Sequence, residues 1–179
     1  MHNSTFITQI LDNATLVKIA SCADEGGPTD IVPAVFYSNG KEQKMLVMDM
    51  DEFQDVIHFL VIALTYFGAE YGPFVHVGIV SDSFARNFEE GEDPESYLEN
   101  ATLADRFAES PASGVQEALI CSVISADGSQ EAGMTAYRYG DDGMPEFEPI
   151  ELLGSSQGGR IHDILATFHK ATQTFFQKG

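Results

Sequence analysis

Positive charge is scarce in this chain. Nine Lys and Arg stand against 28 Asp and Glu, a formal net charge of -19 over 179 residues. A phosphate-reading surface works by clustering cations, so direct nucleic-acid binding is excluded as the default, and anionic lipid would repel the chain. Cysteine is scarcer still. Cys22 and Cys121 are the whole complement, neither lies in a Cys-x-x-Cys pair, and Cys121 falls inside an apolar run. Both read as small core residues rather than a disulfide or a metal site. Long apolar runs are missing too. The start, Met1 to Phe6, has no basic region followed by an apolar run, and the longest apolar stretch, Val56 to Phe67, is broken by His58 and Thr65 and is too short to span a bilayer. A reducing, cytoplasmic setting without membrane contact is the expectation.

Catalytic signatures are equally thin. There is no HxH, HExxH or EF-hand spacing for a metal. Ser81, Ser83 and Ser122 lack a Gly-x-Ser-x-Gly elbow. Gly154 to Arg160 enters a helix start where amides and Arg160 could hold an anion, but it lacks the Gly-Lys-Ser/Thr ending of a P-loop and reads better as a linker. No cofactor, and no metal site, is expected.

What is present is a 44% hydrophobic chain with clear periodicities. Ser4 or Thr5 is placed to cap a short first helix whose Phe6, Ile7, Ile10 and Leu11 share one face, with a second apolar piece at Leu16 to Ala20. Ile31 to Tyr37 and Lys44 to Met50 predict a hairpin around Asn39-Gly40, and Pro33 marks the first strand as an edge. Asp51 to about Glu70 predicts a buried helix, and Phe74 to Ser81 a central strand. Glu117 to Ser125 and Met134 to Tyr139 predict a second hairpin around Asp127-Gly128. Pro145 and Pro149 make the Phe147 segment an edge, and Arg160 to Gln177 closes the chain as a helix. Hairpins dominate over crossovers. The expectation is one α+β domain over residues 1–179, a mostly antiparallel sheet with helices packed on one face.

One stretch departs from this pattern, an acidic excursion assigned to residues 82–116. Between Asp82 and Glu109 it holds nine acids and two arginines. Its bland reading is a solvated loop that aids solubility. Its functional reading is a docking surface for a basic partner, carried by Glu89, Glu90, Glu92, Asp93, Glu95 and Glu99. Nucleic-acid mimicry is a variant of that reading. At one charge per ~1.7 Å of duplex, the excess acid matches about ten base pairs, so mimicry requires the acids to gather on one face.

Three weaker constellations are present. Asp49 and Asp51 alternate at the end of a strand and could share a divalent cation, although acid decorating a helix N-terminus is the favoured reading. His58 and His76 could meet if the buried helix packs on the central strand, giving a mixed ligand set with Asp49 or Asp82. His162 and His169 lie near one helical face without a third partner.

The segment from Asp30 to Glu148, about two thirds of the chain, resembles a group of uncharacterised small proteins of bacteria and their phages. The likeness lies in Ile31-Val32-Pro33 before a hairpin, the strand Phe74 to Ser81, an Arg-containing loop leading into Glu117-Ala118-Leu119-Ile120, and the Asp127-Gly128 hairpin. The group carries no established activity, so the resemblance implies a setting: an accessory protein, bacterial or virus-encoded in a host cell. Three functions follow, in order. The first is a non-catalytic acidic interaction protein that binds a basic protein partner, as an inhibitor or nucleic-acid mimic. The second is a metal-dependent enzyme using Asp49, Asp51, His58 and His76. The third is a structural component of a phage particle, or another homo-oligomer, assembled through the edge strands.

Overall fold

The computed structural model describes residues 2–47, 66–86, 115–154 and 160–176. The first helix, α1, spans Asn3–Glu25 and is 23 residues long. Its buried positions recur at helical spacing, from Phe6, Ile7, Ile10 and Leu11 through Ala14 and Lys18 to Cys22. The expected short helix and second apolar piece are therefore one element. Leu16 and Val17 lie on its outer side, 66% and 49% exposed. Neither Ser4 nor Thr5 caps it. The helix begins after an extended His2 that makes no side-chain cap, and Ser4 is already inside, its carbonyl oxygen accepting a bond from the Thr8 hydroxyl at 3.0 Å. Gly26 ends the helix in the left-handed conformation at φ 74°, which a side chain resists.

Strand β1 (Ala34–Ser38) turns into β2 (Gln43–Val47). The Asn39 side chain builds this turn, its Oδ1 accepting from the amides of Lys41 and Glu42 at 2.9 and 2.8 Å. A helix whose described part is residues 66–71, α2, leads into β3 (His76–Arg86). Strands β4 (Val115–Ser125) and β5 (Gln130–Tyr139) form the long second hairpin. The short strands β6 (Pro145–Phe147) and β7 (Glu151–Gly154) precede α3 (Arg160–Phe176).

These strands form one seven-stranded sheet in the order β2-β1-β3-β4-β5-β6, with β7 also on β5. Every described pairing is antiparallel, as the hairpin-rich sequence implies. Pro33 marks no edge: β1 is paired on both sides, by β2 and β3. Pro145 does open the edge strand β6. The acidic excursion is also shorter than residues 82–116. Asp82 to Arg86 continue β3, Val115 and Gln116 begin β4, and Arg86 pairs with Val115.

The helices do not share one face. Strand alternation sends Ala34, Phe36, Val80, Leu119, Cys121 and Val123 toward the Phe6–Leu11 stripe of α1. The intervening Val35, Tyr37, Val77, Ile79 and Ile124 pack on the other side with Phe67 of α2 and Ile164, Leu165 and Phe168 of α3. A sheet with apolar residues at successive positions needs cover on both faces, and this one has it. Two glycines let α1 lie close. A Cβ on Gly78 would stand 2.6 Å from Ile10 Cδ1, and one on Gly133 would stand 2.6 Å from Ile7 Cγ2. Among the described residues no helix is long and apolar enough to cross a membrane.

Candidate functional site

Two opposite alternations meet beneath α1. On β3 the inward positions run His76, Gly78, Val80 and then Asp82; on β5 they include Gly133, Thr135, Tyr137 and Tyr139. On α1 the inward stripe reaches Lys18 one turn after Ala14. The outcome is a buried ion pair on the sheet face. Lys18 has no exposed side-chain surface, and its Nζ lies 2.6 Å from Asp82 Oδ2. Asp82 is held from two further directions: the Tyr137 hydroxyl donates to Oδ1 at 2.5 Å and the Ile31 amide donates to Oδ2 at 3.2 Å. The ammonium also lies over two rings, 4.6 Å from the Tyr137 centroid and 5.4 Å from that of Tyr139. Exposed Asp30 approaches it at 3.6 Å.

The electrostatics keep this cluster in one protonation state. Burial pulls the Lys18 pKa down, but the hydrogen bond and charge of Asp82, with help from Tyr139, outweigh it and leave the pKa above the ordinary value. Burial raises the Tyr137 phenol, and the adjacent Asp82 and Glu117 charges raise it further. Tyr139 is raised by burial against the opposing pull of Lys18. A lysine fixed as ammonium is no nucleophile, and a phenol committed to a carboxylate is no base near neutral pH. Glu117 stands beside them on β4, paired across to Tyr137. Burial raises its carboxyl pKa, Lys18 opposes that, and the Asp82 and Asp30 charges add to it.

Around this cluster one end of the sheet gathers acid. The C-terminus of α1 supplies exposed Asp24 and Glu25, the following loop Asp30, and the β5–β6 turn Asp141 and Asp142. The two segments adjoin, since a Cβ on Gly143 would stand 3.4 Å from Gly27 Cα. Arg138 on this rim is paired with Glu146, at 3.0 Å. Segment 87–114 leaves β3 and re-enters β4 at this same end, because Arg86 pairs with Val115. Its proposed contact residues Glu89, Glu90, Glu92, Asp93, Glu95 and Glu99 lie outside the described residues.

Of the histidine and carboxylate constellation, only His76 and Asp82 fall among the described residues, and they stand apart. Asp49, Asp51 and His58 lie outside the described residues. His76 is buried on the α1 face, its ring 5.3 Å from that of Phe6. Asp82, the other suggested ligand, is committed to Lys18 and Tyr137 six positions along the same strand. His76 instead borders a polar groove of about 370 Å³ at the opposite end of the sheet, with Asn3, Ser125, Ser129 and Glu131. His169 contacts the Ala126 carbonyl oxygen at 3.0 Å. Among the described residues no group of three or more His, Cys, Asp or Glu is placed to hold a metal.

Sequence pattern alone does not join Lys18 to Asp82. Lys18 is one polar residue in an apolar piece, and Asp82 is the first acid of the expected excursion. The signal that points to Lys18 is the α1 stripe itself, which places it at the next inward position after Ala14. No protein-family model matches the chain, and comparison with curated proteins and with solved structures finds no significant match. The likeness of Asp30 to Glu148 to small bacterial and phage proteins therefore rests on those short motifs alone.

Proposed function

We propose that this protein is a non-catalytic interaction module that docks a basic protein partner on the acidic end of its sheet. The observation that carries the reading is the placement of Asp24 and Glu25. They occupy the last turn of a 23-residue helix that has no basic residue there. The helix dipole disfavours acid at that position by about 0.3–1 kcal/mol for each charge. Acid placed against a local rule, and joined by Asp30, Asp141 and Asp142, serves the surface rather than the helix. The flanks of the acidic segment 87–114 converge on the same end, which supports adding Glu89, Glu90, Glu92, Asp93, Glu95 and Glu99 to the docking face. The buried Lys18–Asp82–Tyr137 cluster beneath it is satisfied internally and acts as the rigid floor.

The test uses charge-matched variants. One neutralises Asp24, Glu25, Asp141 and Asp142, a second Glu89, Glu90, Glu92 and Asp93, and a third Glu42, Glu70, Asp127 and Glu131 at the far end. Binding to a fluorescent Lys/Arg-rich peptide is followed by anisotropy across a salt series. The first two variants should weaken binding and flatten its salt dependence, and the third should not. Equal loss in all three would reduce the effect to net charge and remove the docking face.

A further inference from the structure

We propose that the sheet carries a binding site for a primary alkylammonium group, that Lys18 fills it from within the chain, and that this contact latches the second half of α1 to the sheet. The site is independent of whether the acidic end meets a basic partner. Its walls belong to the sheet. Asp82 on β3 supplies the carboxylate, and Tyr137 and Tyr139 on β5 supply two ring faces within 4.6 and 5.4 Å of the ammonium. Carboxylate and paired aromatic faces are the combination that selects a cationic head over a neutral one. The walls are also organised without their guest. Tyr137 and the Ile31 amide both hold Asp82 by bonds in which Lys18 takes no part. Only the guest comes from α1.

The helix is attached unevenly. Its first half buries Phe6, Ile7, Ile10, Leu11 and Ala14; beyond Ala14 only Lys18 and Cys22 are buried. In that second half Leu16, Val17 and Ile19 are 66%, 49% and 37% exposed. Apolar burial therefore secures residues 6–14, and the Lys18 head group is the main hold on residues 15–25. Without it, the Asp82 carboxylate would have no counter-charge in contact among the described residues, and it lies close to Glu117 and Asp30. The ligand class follows from the guest: an unbranched alkyl chain ending in a primary ammonium, the end of a lysine side chain.

The experiment removes the guest and offers a replacement. In full-length Lys18→Ala, backbone hydrogen exchange of residues 15–25 should accelerate by on the order of a hundredfold, while residues 6–14 change little. The melting temperature should fall. Millimolar n-propylammonium chloride, which matches the three carbons and ammonium that alanine lacks, should restore both readouts in a saturable way; n-propanol, or sodium chloride at equal ionic strength, should not. The wild-type protein, its site filled, should respond to n-propylammonium no more than to sodium chloride. Rescue by n-propanol, rescue by sodium chloride, an equal response of the wild type, or unchanged exchange in residues 15–25 would each overturn the proposal. If Lys18→Ala does not fold, Lys18→Met keeps the alkyl stem and removes the charge. It should show the same selective loss of protection. Wild-type protection in that variant, or its failure to fold, would refute a local latch.

Discussion

Adding a single methyl group at position 133 measures how closely α1 rides on the sheet. Gly133 lies on β5 beneath the helix, and an added Cβ would stand 2.6 Å from Ile7 Cγ2, 3.1 Å from the Glu151 carbonyl oxygen and 3.4 Å from Leu152 Cδ2. Carbon atoms pack best at about 3.5–4.0 Å, so roughly an ångström of movement is required. Ile7 is fully buried, and its branched methyl has little freedom to swing away. The Glu151 carbonyl is backbone in a paired strand. Overpacking of this kind costs about 1–3 kcal/mol, offset by about 0.4–1 kcal/mol because alanine restricts the unfolded chain. The net loss of about 1–2 kcal/mol corresponds to about 2–8 °C in melting temperature for a domain of this size. Gly78→Ala should cost less, because its closest contact is the flexible end of Ile10, Cδ1, at 2.6 Å. The assay is thermal unfolding of both variants and of Ile7→Ala in a double-mutant cycle with Gly133→Ala. Ile7→Ala alone should cost about 2–5 kcal/mol. The pair should show a favourable coupling of about 0.5–3 kcal/mol, since one change makes room for the other. A Gly133→Ala protein as stable as the wild type, or strict additivity in the cycle, would refute the close seating of α1.

Glu117→Gln should stabilise the protein at neutral pH and have little effect in acid. The folded carboxyl pKa is raised by burial first and by the Asp82 and Asp30 charges next, so the fold retains a proton that the unfolded chain releases. The wild type thus loses stability as pH rises from the unfolded carboxyl pKa through the folded one, and the glutamine variant lacks that loss. Melting curves from acid to neutral pH should show the gap between the two widening upward; a gap that narrows would contradict the sign. With a net charge of -19, melting temperature should climb between about 10 mM and about 300 mM sodium chloride, as the Debye length drops from about 30 Å to below 8 Å. A steady fall would mean that favourable pairing of the few cations outweighs the excess acid. Both cysteines are buried, and burial pushes the Cys121 thiol pKa well up. A chromogenic disulfide reagent should therefore find no reactive thiol until the protein is denatured, and rapid labelling of the native protein would contradict the packing.

Local chemistry makes the turns and the class of fold legible in the sequence. Asn39-Gly40 and Asp127-Gly128 build hairpins because their side-chain oxygens and left-handed glycines satisfy a tight turn with no help from distant residues. Periodicity makes the first half of the α1 stripe, Phe6 to Leu11, and most of α3 readable for the same reason: a helix presents every third or fourth residue to one side. The continuation through Lys18 to Cys22 is hidden by the apolar but outward-facing Leu16 and Val17. Net charge is additive, so the acidic character belongs to the sequence alone. Partnership is different. That Lys18 meets Asp82, 64 positions away, depends on α1 crossing β3 and β5 at one particular place. That Pro33 precedes an interior strand depends on β3 lying beside β1. The division of the helices between two faces depends on which alternate residues of each strand find cover. These are long-range choices, decided when the whole sheet assembles and apolar surface on both faces must be buried at once. The same assembly joins the end of α1 to the β5–β6 turn, and so gathers Asp24, Glu25, Asp141 and Asp142, scattered in sequence, onto one end.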